Sequence, residues 1–233
     1  MNLKGSKILL TGGSSGIGFA TAKALTQKGA NVIISGRDKA KLKNAADSIG
    51  CKYILLDSSN FAEIPGQCKE AVDMLGGIDV LINNAGIGTF DLIDDISLED
   101  FLNIYNTNVF GVALISQQII KHFKVQKKGN IINIGSSAAT KGFAHGTVYA
   151  SSKFALRGMT ECWVQELRKF NVRVMLVNPS EVPTAFNQES REERQLVDNK
   201  LHPEDIAHMI VANLELNDRG FVPELGVWAT NPF

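Results

Sequence analysis

The sequence has no surplus of charge of either sign. Its 24 Lys and Arg are matched by 24 Asp and Glu, so the formal net charge at pH 7 is zero. That balance leaves no electrostatic footprint for a nucleic acid or an anionic membrane as a partner. Cysteine is scarce. Cys51, Cys68 and Cys162 are an odd number with no C-x-x-C spacing, which argues against a disulfide framework or a zinc site and reads as buried thiols in a reducing compartment. The four histidines, His122, His145, His202 and His208, show no metal-ligand spacing. No apolar run reaches the roughly 18 residues of a membrane span, and the first strand-like run starts too early to leave room for a signal peptide. A cytoplasmic location is the expectation. Linkers, internal repeats and low-complexity tracts are also missing, so the 233 residues, 44% of them apolar, suit one domain over 1–233.

What the chain does have is alternation. Strand-like runs recur at 7–11, 31–35, 53–56, 78–82, 130–134 and 172–177, separated by segments that read mostly as helices. A seventh strand is expected at about 220–223. It follows a helix that starts near Pro203, where His202-Pro203-Glu204-Asp205 puts proline and acids in the first turn. This pattern predicts an α/β fold: a single-domain, Rossmann-like, doubly wound parallel sheet of about seven strands with helices on both faces. Two long helical segments, about 98–124 and 148–169, flank the strand at 130–134 and so fall on the same face. Their apolar stripes serve either the sheet or a subunit contact.

The first run, Lys7 to Thr11, leads into Gly12-Gly13-Ser14-Ser15-Gly16-Ile17-Gly18 and then a helix-like stretch, Phe19 to Lys28. Strand, glycine-rich turn and helix together make an anion site, because bare backbone approaches a phosphate and the helix start offers free N–H groups. The spacing, Gly-x-x-x-Gly-x-Gly, departs from the commoner Gly-x-Gly-x-x-Gly fingerprint. A flexible loop is the bland alternative, which the placement between a strand and a helix disfavours.

In the second half, Tyr149 and Lys153 stand four residues apart, just over one helical turn, on one helix face. A free tyrosine has a pKa of about 10. A cation about 4 Å from the phenolate is worth roughly 4 kcal/mol at an effective dielectric near 20, enough to lower that value by about 3. The expectation is a phenol poised for acid–base work near neutrality.

Thr-Gly-x-x-x-Gly-x-Gly at the start, Asn83-Asn84-Ala85-Gly86 in the middle and Ser…Tyr-x-x-x-Lys in the second half resemble the short-chain dehydrogenase/reductase family, in its order and spacing and over essentially the whole chain. The resemblance implies strand order 3-2-1-4-5-6-7 and a nicotinamide dinucleotide cofactor. It implies that Gly12, Ser14, Ser15, Gly16, Ile17 and Gly18 hold the pyrophosphate, that Asp57 and Ser58 meet the adenine, and that Asn83, Ala85 and Gly86 line the adenosine ribose. It further implies that Val182 and Thr184 hold the carboxamide, and that Tyr149 and Lys153 touch the nicotinamide end. Arg37 follows Gly36 at the end of the second strand, where an acid would select NAD(H). An arginine fork suits a 2′-phosphate, so NADP(H) is favoured over NAD(H), with Lys41 adding charge. In the alternative, Arg37 is a solvated surface residue and Asp38 merely caps the next helix.

By the same resemblance the catalytic set is Ser136, Tyr149, Lys153 and Asn108. Ser136 is preferred to Ser137 because it lies thirteen positions before the tyrosine, the family's separation. Asn106, Thr107 and Asn108 are three poor helix formers in a helical stretch, to be explained by a helix distortion or by a plain surface turn. The implied activity is reduction of a carbonyl to an alcohol, or the reverse, on a small-molecule substrate. An alternative is a nucleotide-binding sensor or scaffold without chemistry, although such relatives usually lose the tyrosine or lysine. The resemblance also implies a homodimer or homotetramer through helices 98–124 and 148–169, and a short substrate lid over about 184–202. Ser180 stands where the family has glycine, which would strain the loop if the position required positive φ. His145, Phe143, Phe186 and Trp228 either face substrate or serve as loop and core residues.

Overall fold

The computed structural model describes residues 1–186 and 195–232. The chain alternates strand and helix from its start. β1 (Lys7–Thr11), α1 (Gly16–Gln27), β2 (Asn31–Gly36), α2 (Lys39–Ile49), β3 (Lys52–Leu55), α3 (Ile64–Leu75) and β4 (Val80–Asn83) make up the first half. In the second half come α4 (Leu98–Tyr105), a wide π turn at Asn106–Gly111, α5 (Val112–Gln126), β5 (Gly129–Ile134), α6 (Thr147–Leu167), β6 (Val172–Pro179), α7 (Pro203–Glu215) and β7 (Glu224–Val227). The seven strands form one sheet in the order 3-2-1-4-5-6-7, and every neighbouring pair is parallel.

Alternation along each strand divides the core into two layers. Ile8, Leu10, Val32, Ile34 and Ile82 point to one side and pack with Leu25 of α1, Leu42 of α2 and Ile206, Ile210 and Leu214 of α7. Leu9, Ile33, Leu81, Ile131 and Val174 point to the other, against Cys68 and Ala71 of α3, Ile115, Ile119 and Phe123 of α5, and Val164 and Leu167 of α6. Both faces are therefore buried, which is why the strands read as unbroken apolar runs.

Local signals set the helix ends. Asp38 caps α2, its carboxylate accepting from the Lys41 amide at 3.0 Å. Ser97 and Asp100 form a reciprocal capping box at α4. α7 begins at Pro203 as expected, with Asp205 accepting from the His202 amide at 2.8 Å. The returns from helix to strand at Gly29, Gly50, Gly76, Lys127 and Asn171 all pass through the left-handed region.

Several expectations need correction. The last strand is Glu224–Val227, beyond the 220–223 read from sequence. The Asn213 side chain bonds both the amide and the carbonyl of Val222, and Pro223, which has no N–H, joins only through its carbonyl, accepting from the Leu176 amide at 2.8 Å, so the strand begins at Glu224. The stretch 98–124 is not one regular helix, because the π turn divides it. A Cβ on Gly111 would lie 2.1 Å from the Ser58 carbonyl oxygen, so only a bare glycine lets the turn press there. Of the three cysteines, Cys68 is buried, whereas Cys51 is half-buried and Cys162 exposed. Among the described residues no helix is long and apolar enough to cross a membrane. The lid segment is described only at its two ends, since 187–194 lie outside the described residues.

Candidate active site

The carboxyl ends of the strands open into a cleft of about 1030 Å³. Its first wall is the glycine turn between β1 and α1. Gly12 has φ 68, and a Cβ there would come within 2.8 Å of the Ala85 Cα. At Gly18 a Cβ would lie 2.2 Å from the Gly12 carbonyl oxygen and 2.5 Å from Asn84 Nδ2. Asn84 explains this closeness. Its amide donates to the Thr11 and Gly12 carbonyls at 3.0 and 2.8 Å, while the Thr11 hydroxyl oxygen accepts from the Asn84 and Ala85 amides at 3.1 Å each. The segment after β4 thus clamps the turn in shape. Ser15, at the N-cap of α1, makes no side-chain cap. No hydroxyl of its own therefore competes with an anion at that helix start.

Most of the residues singled out in the sequence converge here. Gly12, Ser14, Ser15, Gly16, Ile17 and Gly18 line the cleft at the turn, Arg37 beyond β2, Asp57 and Ser58 beyond β3, and Ala85 and Gly86 beyond β4. Ser136 follows β5, Val182 and Thr184 follow β6, and Tyr149 and Lys153 enter from α6. Lys41 lies beside Arg37 on the same wall. Asn83 does not line the cleft, contrary to expectation. It is the last residue of β4 and points into the core, its amide donating to Asn133 Oδ1 at 2.8 Å and Ser116 Oγ at 3.0 Å. Asn84, one position on and facing the other way, takes the place at the cleft.

At the reactive end Ser136 and Tyr149 line the cleft together. The Ser136 oxygen accepts from the Ala138 amide at 3.1 Å, which fixes its rotamer. Ser137 also lines the cleft but begins a short 3₁₀ turn. Behind Ser136, its backbone amide donates to Asn178 Oδ1 at 3.1 Å, Asn178 donates to Glu224 at 2.8 Å, and Glu224 pairs with Arg157 at 3.1 Å. Asn178 and Glu224 were not singled out in the sequence. The polar residue before Pro179 at a strand end is the one signal for Asn178, and Glu224 had none.

The electrostatics differ from the expectation. Burial pushes the Tyr149 phenol above its ordinary value, and the neighbouring Ser136 hydroxyl offsets this only in part. Lys153 stands 5.7 Å from the phenol ring centre, and its ammonium donates to the Ile134 carbonyl at 2.9 Å. Burial pushes Lys153 itself down to about 8. Desolvation of the phenol outweighs a cation that is already committed to a carbonyl. Asn108 is buried within the π turn and does not line the cleft. Its oxygen accepts from the Ile87 amide at 3.0 Å, and its nitrogen donates to the Ile87 carbonyl at 2.9 Å and Ser152 Oγ at 3.1 Å. A Cβ on Gly86 would sit 3.4 Å from Asn108 Oδ1 and 3.7 Å from Lys153 Nζ, so both side chains face that glycine. The three poor helix formers therefore mark a helix distortion, not a surface turn.

Phe143 and Phe186 line the cleft, as does Phe90, which the sequence reading missed because its loop has no periodicity. Trp228 is 61% exposed, and neither it nor His145 lines the cleft. Ser180 does not have positive φ, so the substitution for glycine causes no strain; its amide donates to the Val227 carbonyl at 2.8 Å.

The family model for short chain dehydrogenase matches residues 6–195. An NADP-dependent 3-hydroxy acid dehydrogenase of Schizosaccharomyces pombe is 34% identical over 225 residues, covering 90% of this chain and 86% of that one. A sepiapterin reductase of Chlorobaculum tepidum is 33% identical over 230 residues, covering 94% and 93%. Among solved structures, an alcohol dehydrogenase from the archaeon Thermococcus sibiricus complexed with 5-hydroxy-NADP superposes with a TM-score of 0.90 at 25% identity, covering 97% of each chain. With its glycine turn, its sheet order and its matched sequence all in agreement, the chain belongs to the short-chain dehydrogenase family.

Proposed function

We propose that the protein is an NADP(H)-dependent oxidoreductase that interconverts a carbonyl and an alcohol on a small-molecule substrate. The observation that carries this reading is one continuous cleft, with a glycine turn at one end and Ser136, Tyr149 and the buried Lys153 together at the other. The residues present fit a dinucleotide. Gly12 and Gly18 leave backbone bare where a phosphate approaches, and Arg37 and Lys41 offer cations at the end of β2, where a 2′-phosphate is read. NADP(H) is therefore favoured over NAD(H), in keeping with the NADP-dependent relative and the NADP-type ligand of the solved structure.

The cofactor, when bound, supplies or accepts hydride. The chain's own residues handle the oxygen. Tyr149, which burial keeps protonated, gives its proton to the carbonyl oxygen. Ser136, held by Ala138 and Asn178, hydrogen-bonds the same oxygen as negative charge develops on it. Lys153 places a positive charge beneath the phenol and steadies the tyrosinate once the proton has left. Asn108 holds the loop at Ile87 and, beside Gly86, borders the route by which Lys153 is reprotonated. Val182 and Thr184 bound the nicotinamide end, and the segment about 184–202 is the substrate lid.

A cytoplasmic setting suits the free cysteines. Leu98 and Leu102 of α4, Phe110 of the π turn and Phe154 of α6 are 74%, 49%, 45% and 44% exposed. Such apolar exposure on the helices at 98–124 and 148–169 supports a homodimer or homotetramer through them. NADPH oxidation with a panel of ketones, aldehydes and oxo acids tests the function. Tyr149→Phe is expected to lose at least about a hundredfold in kcat while NADPH affinity, measured by fluorescence titration, stays within about twofold. Undiminished turnover in that variant would remove the phenol from the reaction.

A further inference from the structure

Three phenylalanines surround the reactive tyrosine. Phe90 meets the Tyr149 ring edge-on at 5.3 Å between centres, Phe186 covers it from another side at 5.7 Å, and Phe143 leans on Phe90 at 6.0 Å. Their positions depend on two glycines. A Cβ on Gly88 would lie 3.0 Å from the Phe186 ring, and one on Gly146 would lie 2.7 Å from the Phe143 ring. Any side chain at Gly146 would push that ring aside, and one at Gly88 would crowd Phe186. Phe143 and Phe186 remain 48% and 38% exposed, so a flat ligand that covers them removes apolar surface from water and adds edge or face contacts between rings.

Charge points the same way. Of the charged side chains that line the cleft, Arg37, Asp38, Lys41 and Asp57 lie beyond β2 and β3, the end away from Tyr149. The other lining charges are Lys153, which stands 5.7 Å from the Tyr149 ring centre, and Glu181, which follows β6. Lys153 is 5% exposed and donates to the Ile134 carbonyl. Glu181 is an acid, paired with Lys200. Among the described residues, then, a substrate carboxylate would meet no accessible cation among the side chains lining this wall and would lose its water without a partner there, which is costly.

We infer that the substrate carbonyl carries a flat, uncharged aromatic group seated among Phe90, Phe143 and Phe186, making the preferred substrates aryl ketones or the matching aryl carbinols. The inference rests on the hydride-transfer reading for its chemistry and on the phenylalanine wall for its specificity, and a binding measurement separates the two. Isothermal titration calorimetry on the protein saturated with NADPH, which cannot accept a hydride and so cannot oxidise an alcohol, would compare 1-phenylethanol, 1-cyclohexylethanol and 3-hydroxybutyrate. The phenyl alcohol is expected to bind about tenfold more tightly than 3-hydroxybutyrate and about threefold more tightly than its cyclohexyl counterpart. Phe90→Ala, and Phe90→Leu as the variant that keeps apolar volume, are expected to weaken the phenyl alcohol by about tenfold and the cyclohexyl alcohol by less than about threefold, with NADPH affinity unchanged. If 1-phenylethanol binds no more tightly than 3-hydroxybutyrate, or if Phe90→Leu weakens both apolar alcohols equally, the aromatic site is overturned. The expected binding order without turnover of any carbonyl would instead sink the hydride-transfer reading and leave the site standing.

Discussion

Lys153 is a cation in the wrong solvent. Burial holds it at about 8 against 10.5 for an ordinary lysine, a difference worth roughly 3 kcal/mol against the charged form at neutral pH. The folded protein holds this proton less tightly than the unfolded chain does. Its cost to stability is therefore full below about pH 8 and is relieved as pH rises from about 8 towards 10.5. Lys153→Met is expected to stabilise the fold at pH 7 by about 1–3 kcal/mol, the lost bond to the Ile134 carbonyl reducing the gain, and to abolish turnover. Denaturant titrations at pH 7 and at about pH 9.5 check the stability, because the advantage of the variant must shrink at the higher pH, and an NADPH-oxidation assay checks the turnover. A wild type that is the more stable of the two at pH 7 would contradict this account. The sequence made the Tyr149–Lys153 pairing on one helix face plain, since i to i+4 spacing fixes it. It led to the wrong direction for the phenol's shift, a fall where burial gives a rise, because spacing along a helix carries no information about how much water is left around either group.

Elements act here through their ends. Ser136 is held from behind by a hydrogen-bonded row that crosses two strands and a helix, from Arg157 on α6 through Glu224 on β7 and Asn178 on β6. Asn178→Ala removes the acceptor of the Ser136 amide and leaves Glu224 with Arg157 as its partner. The expected result is a fall in kcat of about tenfold, with KM for NADPH unchanged and Tyr149 still required. Steady-state kinetics with NADPH varied decides it, since a general loss of structure would raise that KM as well. Sequence conveyed the strands well, because a buried parallel sheet leaves unbroken apolar runs at 7–11, 31–35 and 130–134. It conveyed less where a distant side chain rules, as at Val222, whose backbone is taken by Asn213. The anomaly at Asn106-Thr107-Asn108 was legible as weak helix propensity, while the wider pitch of that turn was not. Asn83 and Asn84 show the limit most simply, since neighbouring residues at a strand end face opposite ways and a one-residue error moves a side chain from cleft to core.

At the scale of the molecule, α4 packs on α6 and leaves Leu98, Leu102, Phe110 and Phe154 in water. Phe154→Glu is expected to convert the proposed assembly to smaller species in sedimentation velocity, with the far-ultraviolet circular dichroism unchanged. A wild-type protein that sediments as a monomer at tens of micromolar would dispose of the assembly. All seven strands run the same way, so the residues of the candidate site gather at one pole. The left-handed returns at Gly29, Gly50, Gly76, Lys127 and Asn171 gather at the other. The molecule has a working tip and a handle. A bead, dye or fusion attached at the Lys127–Lys128 return would grip the handle and leave the tip open to solution.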